Sequence, residues 1–222
     1  KYSPKQTFGE VMPGDIKYKD VNGDGMVDKL DMVPLTHSTY PLLMYGLGAE
    51  IRYKNLTLGV LFKGTGKTSF FYVGQKTTVN DDTRVNGMGY MPFFEGDTGN
   101  VLTIAANPAN RWIPKEYAME HGIDPALAEN PNARFPRLQY GNNNNNSQLS
   151  SFWQGDSRYI RLQEVTLNYH LTMAFMKRIG ISSMDIQFVG NNLYIWDKVK
   201  LFDPEQARWN GRVYPIPSTY YL

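Results

Sequence analysis

From Leu43 to Phe62 the chain alternates large apolar residues with small or polar ones, at a period of two. Leu43, Tyr45, Leu47, Ala49, Ile51 and Tyr53 fall on one side, and Met44, Gly46, Gly48, Glu50 and Arg52 on the other. Only an extended strand sends every second side chain to the same face, so this pattern predicts strands buried on one side. The run Leu43 to Tyr53 exceeds the usual soluble strand of about 5–6 residues and matches the roughly 9–11 of a membrane-spanning one. Lys54-Asn55 reads as a tight turn, and Leu56, Leu58, Val60 and Phe62 continue as the second strand of a hairpin.

Further strands are expected from about Ser157 to Leu171 and from about Ser183 to Ile195, with a last one entered at Thr219-Tyr220-Tyr221-Leu222. Val165, Leu167, Tyr169 and Leu171 keep one phase. Ile160 and Leu162 break it, so the early part of that strand is expected to be covered by other protein. Ala174 to Gly180 reads as one helical turn stopped by its glycine. The connections alternate in length: Lys54-Asn55 and 172–182 are short, whereas the stretch before Leu43, residues 66–150 and residues 197–216 are long. Up-and-down outer-membrane barrels have short periplasmic turns and long extracellular loops. Five strands cannot close such a barrel, and open edges are costly in lipid. The chain is therefore expected to be the last part of a larger barrel, beginning inside something longer. Tyr45, Tyr53 and Tyr169 sit where interfacial aromatic girdles belong, and Glu50, Arg52, Glu164 and Asp185 should face the interior.

Composition agrees with β-structure and long loops: 15 Tyr, 20 Gly and 13 Pro in 222 residues. With 23 basic against 21 acidic residues, no general nucleic-acid surface is expected, and the absence of cysteine excludes disulfides and thiolate metal sites. No apolar run is long enough for a spanning helix, which leaves a barrel open. Gly64-Thr65-Gly66-Lys67-Thr68 is not a phosphate-binding loop, because the glycine required five residues before Gly66 is Leu61.

Asp20 to Asp31 reads D-x-N-x-D-G-x-x-D-x-x-D. Asp20, Asn22, Asp24, Asp28 and Asp31 fall at the oxygen positions of a calcium loop, Met26 would give its backbone carbonyl, and Gly25 allows the sharp turn. Asp31 replaces the usual Glu and reaches less far. The competing reading is a run of Asx-turns. The sequence has one such loop and no flanking amphipathic helices, so a structural calcium staple is expected rather than a sensor.

Catalysis finds little support. His37, His121 and His170 are far apart. Asp203 and Glu205 could be a glycosidase pair, but a solvated loop end is the expected reading. The 66–150 loop carries Tyr90, Phe93, Phe94, Trp112 and Tyr117. Tyr90, Phe93 and Trp112 are the candidates for cargo contact, since sugars stack on aromatic faces. Packing of the loop into its own small core is the reading expected for each ring. Asn142 to Asn146 reads as a low-complexity, mobile tract.

Several motifs occur together. They are Pro13-Gly14-Asp15-Ile16-Lys17-Tyr18-Lys19-Asp20-Val21-Asn22-Gly23-Asp24-Gly25, Tyr40-Pro41 and Tyr45-Gly46, followed by Pro131 to Leu138, Ser157 to Leu162, Gly190-Asn191-Asn192-Leu193-Tyr194, Phe202-Asp203-Pro204-Glu205 and Tyr214-Pro215. In this order they resemble the SusC/RagA-type TonB-dependent outer-membrane transporters of Gram-negative bacteria. The resemblance implies an all-β fold, the C-terminal strands of a plugged barrel of about 22 strands, taking 1–222 as one barrel portion with extracellular loops at 20–31 and 66–150. It also implies TonB-driven import of oligosaccharides or peptides, a SusD-like surface lipoprotein as lid, and no enzymatic activity. The plug and the TonB-contacting segment would lie outside this chain. The alternative is a secreted all-β binding module with a dockerin-like calcium loop.

Overall fold

The computed structural model describes residues 4–35, 37–72, 75–79, 82–86, 101, 103–139, 143–209 and 214–222, with backbone alone at 75–79, 82–86 and 207–209. Two compact units are present: Lys1–Thr36 with Phe71–Gln154, and His37–Phe70 with Gly155–Leu222.

The second unit is a five-stranded antiparallel sheet. Its strands are β1 (Leu43–Tyr53), β2 (Leu56–Gly66), β3 (Tyr159–Leu171), β4 (Met184–Asp197) and β5 (Thr219–Tyr221), in spatial order β5-β4-β3-β2-β1. The β1–β2 hairpin pairs Leu43 with Gly66 through to Tyr53 with Leu56. Lys54 in its turn has φ 52°, and the Asn55 carbonyl accepts from His170 N at 2.8 Å. The β3–β4 connection is one short helix, α3 (Ala174–Arg178), stopped at Gly180 with φ +83°.

Ile160 and Leu162 do not leave the apolar face. The β2–β3 register jumps between Leu61 and Phe62, which pair with Glu164 and Leu162, so Gln163 is an extra residue on β3. β4 has its own irregularity between Asn191 and Tyr194, with Asn192 at φ 54°. A bulge shifts the side-chain phase by one residue. It returns Ile160 and Leu162 to the side of Val165, Leu167 and Tyr169, so no covering protein is needed to explain them.

The first unit has its own core of Ile16, Ala105, Phe135 and Trp153, flanked by Tyr18, Phe71, Tyr72, Val101 and Ile104. Short elements surround it. α1 (Thr103–Ala106) is followed by a 3-10 turn at Pro108–Asn110 that Asn107 caps, then by α2 (Lys115–Glu120) and a 3-10 turn at Pro125–Leu127 that Asp124 caps. Gln75–Val79 pairs with Asp82–Asn86. Gly14 has φ +88°, and a Cβ there would lie 2.2 Å from the Trp112 ring, so the close approach of that ring requires glycine.

The asparagine tract is packed and bonded over residues 143–146, while Asn142 lies outside the described residues. Asn145 and Asn146 are 0% and 1% exposed. Asn145 Nδ2 donates to Ile16 O (2.9 Å) and Asn146 Oδ1 accepts from Ile16 N (2.9 Å), while Asn146 Nδ2 and Asn143 Nδ2 donate to Asp15 Oδ1. Trp153 Nε1 donates to Asn146 O at 2.6 Å, and Tyr18 Oη to Asn145 O at 2.7 Å. Asn can donate and accept at once. The tract therefore supplies the buried backbone of residues 15–18 with the partners it lacks.

Candidate functional site

The sheet has two chemically distinct faces. Register places Leu47, Phe62 and Leu162 in one row, Ala49, Val60, Val165 and Gly190 in the next, and Ile51, Leu58, Leu167 and Phe188 in a third. These rows form one apolar face. It stays open: Leu47 is 69% and Ile51 67% exposed. Aromatic rings mark its ends. Tyr45, Tyr194 and Trp196 lie toward the long connections, with Tyr194 against Trp196 (4.6 Å) and Trp196 near Phe62 (6.3 Å). Tyr53 and Tyr169 lie toward the short turns. A water-soluble module would leave this area unfavourably hydrated, because contiguous apolar patches beyond a few hundred Å² are rare on soluble monomers.

The opposite face carries Glu50, Arg52, Thr57, Lys63, Arg161, Glu164, Thr166, Asn168, His170, Asp185 and Gln187. His170 Nδ1 lies 2.8 Å from Asp185 Oδ1 near the short-turn end. At the other end stands a cluster that the sequence reading missed. Arg161 is 3% exposed, and its Nη2 donates to both oxygens of Asp203 (2.6 and 2.5 Å) while its Nε donates to Glu205 Oε1 (3.1 Å). Lys63 Nζ lies 2.9 Å from the same Glu205 oxygen. Burial pushes the Glu205 carboxyl up, but bonds from Lys63 and Tyr159 and the Arg161 charge outweigh it and hold it below its ordinary value. Asp203 and Glu205 are thus neither a solvated loop end nor an available acid–base pair. The legible signal was Arg161 on a polar strand face with two carboxylates in one later loop. Nearby, the Arg158 guanidinium holds the Asp156 carboxyl down to about 2.

The Asp20–Asp31 loop is closed by its own side chains. Asp20 accepts from Gly23 N (2.6 Å) and Gly25 N (2.9 Å), Asn22 Oδ1 from Asp24 N, and Asp24 Oδ1 from Met26 N. Asp31 accepts from Val21 N and Asn22 N on one oxygen and from Asp28 N on the other, and Asp28 caps a 3-10 turn at Lys29–Asp31. Backbone N–H donors on Asp31 hold its carboxyl below the ordinary value. Gly23 and Gly25 supply positive φ. Met26 pairs with Lys5 in a short parallel ladder. Among the described residues, no group of three or more His, Asp or Glu side chains is gathered to hold a metal. As arranged, the loop is an Asx-turn staple.

Of the three rings expected to meet cargo, Tyr90 and Phe93 lie outside the described residues. Trp112 is half-buried with its ring over Gly14, and its backbone N–H donates to Phe135 O at 2.9 Å. Tyr117 stacks on His121 (4.1 Å) beneath Arg111.

No family model matches this sequence. The TonB-dependent receptor P26 of Formosa agariphila is 27% identical over 221 residues, covering 94% of this chain and 19% of that protein. A solved structure of the RagAB peptide transporter matches with a TM-score of 0.55 at 16% identity, over 87% of this chain and 17% of that one, which shows the fold. A closed-closed state of the RagAB peptide importer gives 0.48 at 16% identity, over 84% and 17%. The chain is thus similar to part of a TonB-dependent receptor. It spans about a fifth of the curated relative it matches.

The sheet is accordingly part of an outer-membrane β-barrel. Its apolar rows face lipid, and the face bearing Glu50, Lys63 and Arg161 lines the lumen. The turn at Lys54-Asn55 and the α3 connection lie at one end of the sheet, and the Arg161 cluster lies toward the other, where the long connections leave it.

Proposed function

We propose that the full receptor imports oligosaccharides or peptides across the outer membrane, energised through TonB and served by a SusD-like surface lipoprotein acting as lid. The observation that carries this reading is the sheet itself. Its unbroken apolar exterior and polar interior are what a lipid-embedded wall around a hydrated passage requires. RagAB, which shares the fold, is a peptide importer, and this favours peptides without excluding glycans. The chain's part is read as non-enzymatic, and the Asp203–Glu205 pair that could have served as acid and base is committed to Arg161 and Lys63. The test uses the full-length receptor in its native cells. The protein should fractionate with the outer membrane and migrate faster unboiled than boiled. Growth on its cargo should be lost when either TonB or the adjacent lipoprotein is removed. A soluble protein without a heat shift would overturn the reading, and so would growth independent of TonB.

Calcium at Asp20–Asp31 is part of the same proposal. The spacing 1, 3, 5, 7, 9 and 12 and the left-handed Gly25 support it, while the present N–H contacts of Asp20, Asp24 and Asp31 mean that binding must draw these side chains inward. Calcium should then slow proteolysis of this loop in the intact receptor, and Asp20→Ala with Asp24→Ala should abolish that protection while leaving the heat shift intact. Equal proteolysis with calcium and with a chelator would leave the Asx-turn staple as the full account.

A further inference from the structure

We propose that Arg161 and Lys63 are positioning residues that hold the loop after β4 inside the barrel mouth, so that this charge latch sets the width of the entrance for cargo. The inference rests on the import reading above and deepens it.

Both cations stand on the lumenal face. Register pairs Lys63 directly with Arg161 across β2 and β3. Their partners, Asp203 and Glu205, belong to the loop that follows β4, where a 3-10 turn runs Pro204–Trp209. A loop whose carboxylates reach wall residues facing the lumen is folded inward over the passage. Two cations meet two carboxylates, so the cluster is neutral as built. Arg161 is 3% exposed and also lies over the Tyr159 ring, 5.8 Å from its centre. Phe202, next to Asp203, packs edge-on against Phe70 at 5.4 Å, and Phe70 lies so close over Gly155 that a Cβ there would be 2.3 Å away. Val199 is buried as well. The loop is therefore seated by an apolar contact and by a charge-assisted fork. Such forks fix geometry as well as adding affinity. A loop that only decorated the rim would not need a buried guanidinium to hold it.

The test uses the full-length receptor in outer-membrane vesicles and in cells. Trypsin cuts after exposed lysines, and Lys198 and Lys200 lie in this loop and outside the latch. Local opening limits such cleavage. Arg161→Met and, separately, Glu205→Gln should raise the rate of cleavage at these lysines by roughly tenfold or more, a factor of ten per about 1.4 kcal/mol of lost anchoring. The double variant should add little to the larger single effect, because both act through one latch. The same variants should admit a bulky hydrophilic antibiotic that the parent barrel excludes, with the heat shift retained. Unchanged cleavage in both variants overturns the latch. Faster cleavage without any new permeability overturns its control of the entrance. Should Arg161→Met fail to assemble, Glu205→Gln with Lys63→Met carries the test, since these leave the Arg161–Asp203 fork in place. Failure of cargo growth in the parent would count against the import reading alone, because cleavage and permeability are still read.

Discussion

Asn146 shows how a single residue can be misread. In a run of asparagines it has the composition of a disordered tract, yet it is 1% exposed and bonded on every side. Its decisive partner, Ile16, is 130 positions away, and no local pattern in either segment announces the contact. Asn146→Ala would strip the Ile16 N–H of its acceptor and Asp15 of a donor. Orphaned buried groups cost about 1–3 kcal/mol each, so the Ile16 amide should exchange with solvent at least tenfold faster, measurable by hydrogen exchange on the assembled receptor. Asp156 makes a prediction of a different kind. Arg158 lowers its carboxyl to about 2, against about 3.9 in an unfolded chain. A depressed carboxyl stabilises the fold where it is ionised. Its contribution is whole above about pH 4 and fades as pH falls through 2. Asp156→Asn should abolish that dependence, which a carboxyl-resolved NMR titration would follow.

At the scale of elements, the strands were largely legible because period-two alternation and strand geometry are the same fact. The hairpin at Lys54-Asn55 and the one-turn helix before Gly180 both form where breakers and apolar spacing place them. The phase break in β3 was legible as a break but not as a bulge, since a bulge is a property of a strand pair and the sequence displays one strand at a time. Deletion of Gln163 makes the distinction measurable. Glu164 pairs with Leu61 and Leu162 with Phe62, so removing the extra residue lets the two strands match one to one while Ile160 and Leu162 stay on the apolar face and Arg161 stays in the lumen. The expected outcome is that the fast-migrating unboiled form is retained, whereas deletion of Thr166, which would turn Val165 into the lumen and Glu164 into lipid, should abolish it.

For the whole molecule, the same argument becomes one of solvent. The described part of the chain has no apolar helix able to cross a membrane, which says nothing against crossing by strands. The sheet's surface is divided by strand alternation, reset at the bulges of β3 and β4, with the apolar rows on one side and the charged and amide side chains on the other. That division was readable from Leu43 onward. The compact unit built from Lys1–Thr36 and Phe71–Gln154 was not, because its pairings join segments more than a hundred residues apart. If lipid covers the apolar face, neighbouring positions at the same depth must differ sharply in their tolerance of charge. Ala49 and Glu50 lie mid-strand on opposite faces, paired with Val60 and Gly59. Ala49→Arg should cost about 2–4 kcal/mol near the bilayer midplane, while Glu50→Arg, which keeps a charge in the hydrated lumen, should cost far less. Denaturant titration of the full receptor folded into bilayers would read both. Equal costs would mean that the two faces share one solvent, which a membrane barrel cannot allow.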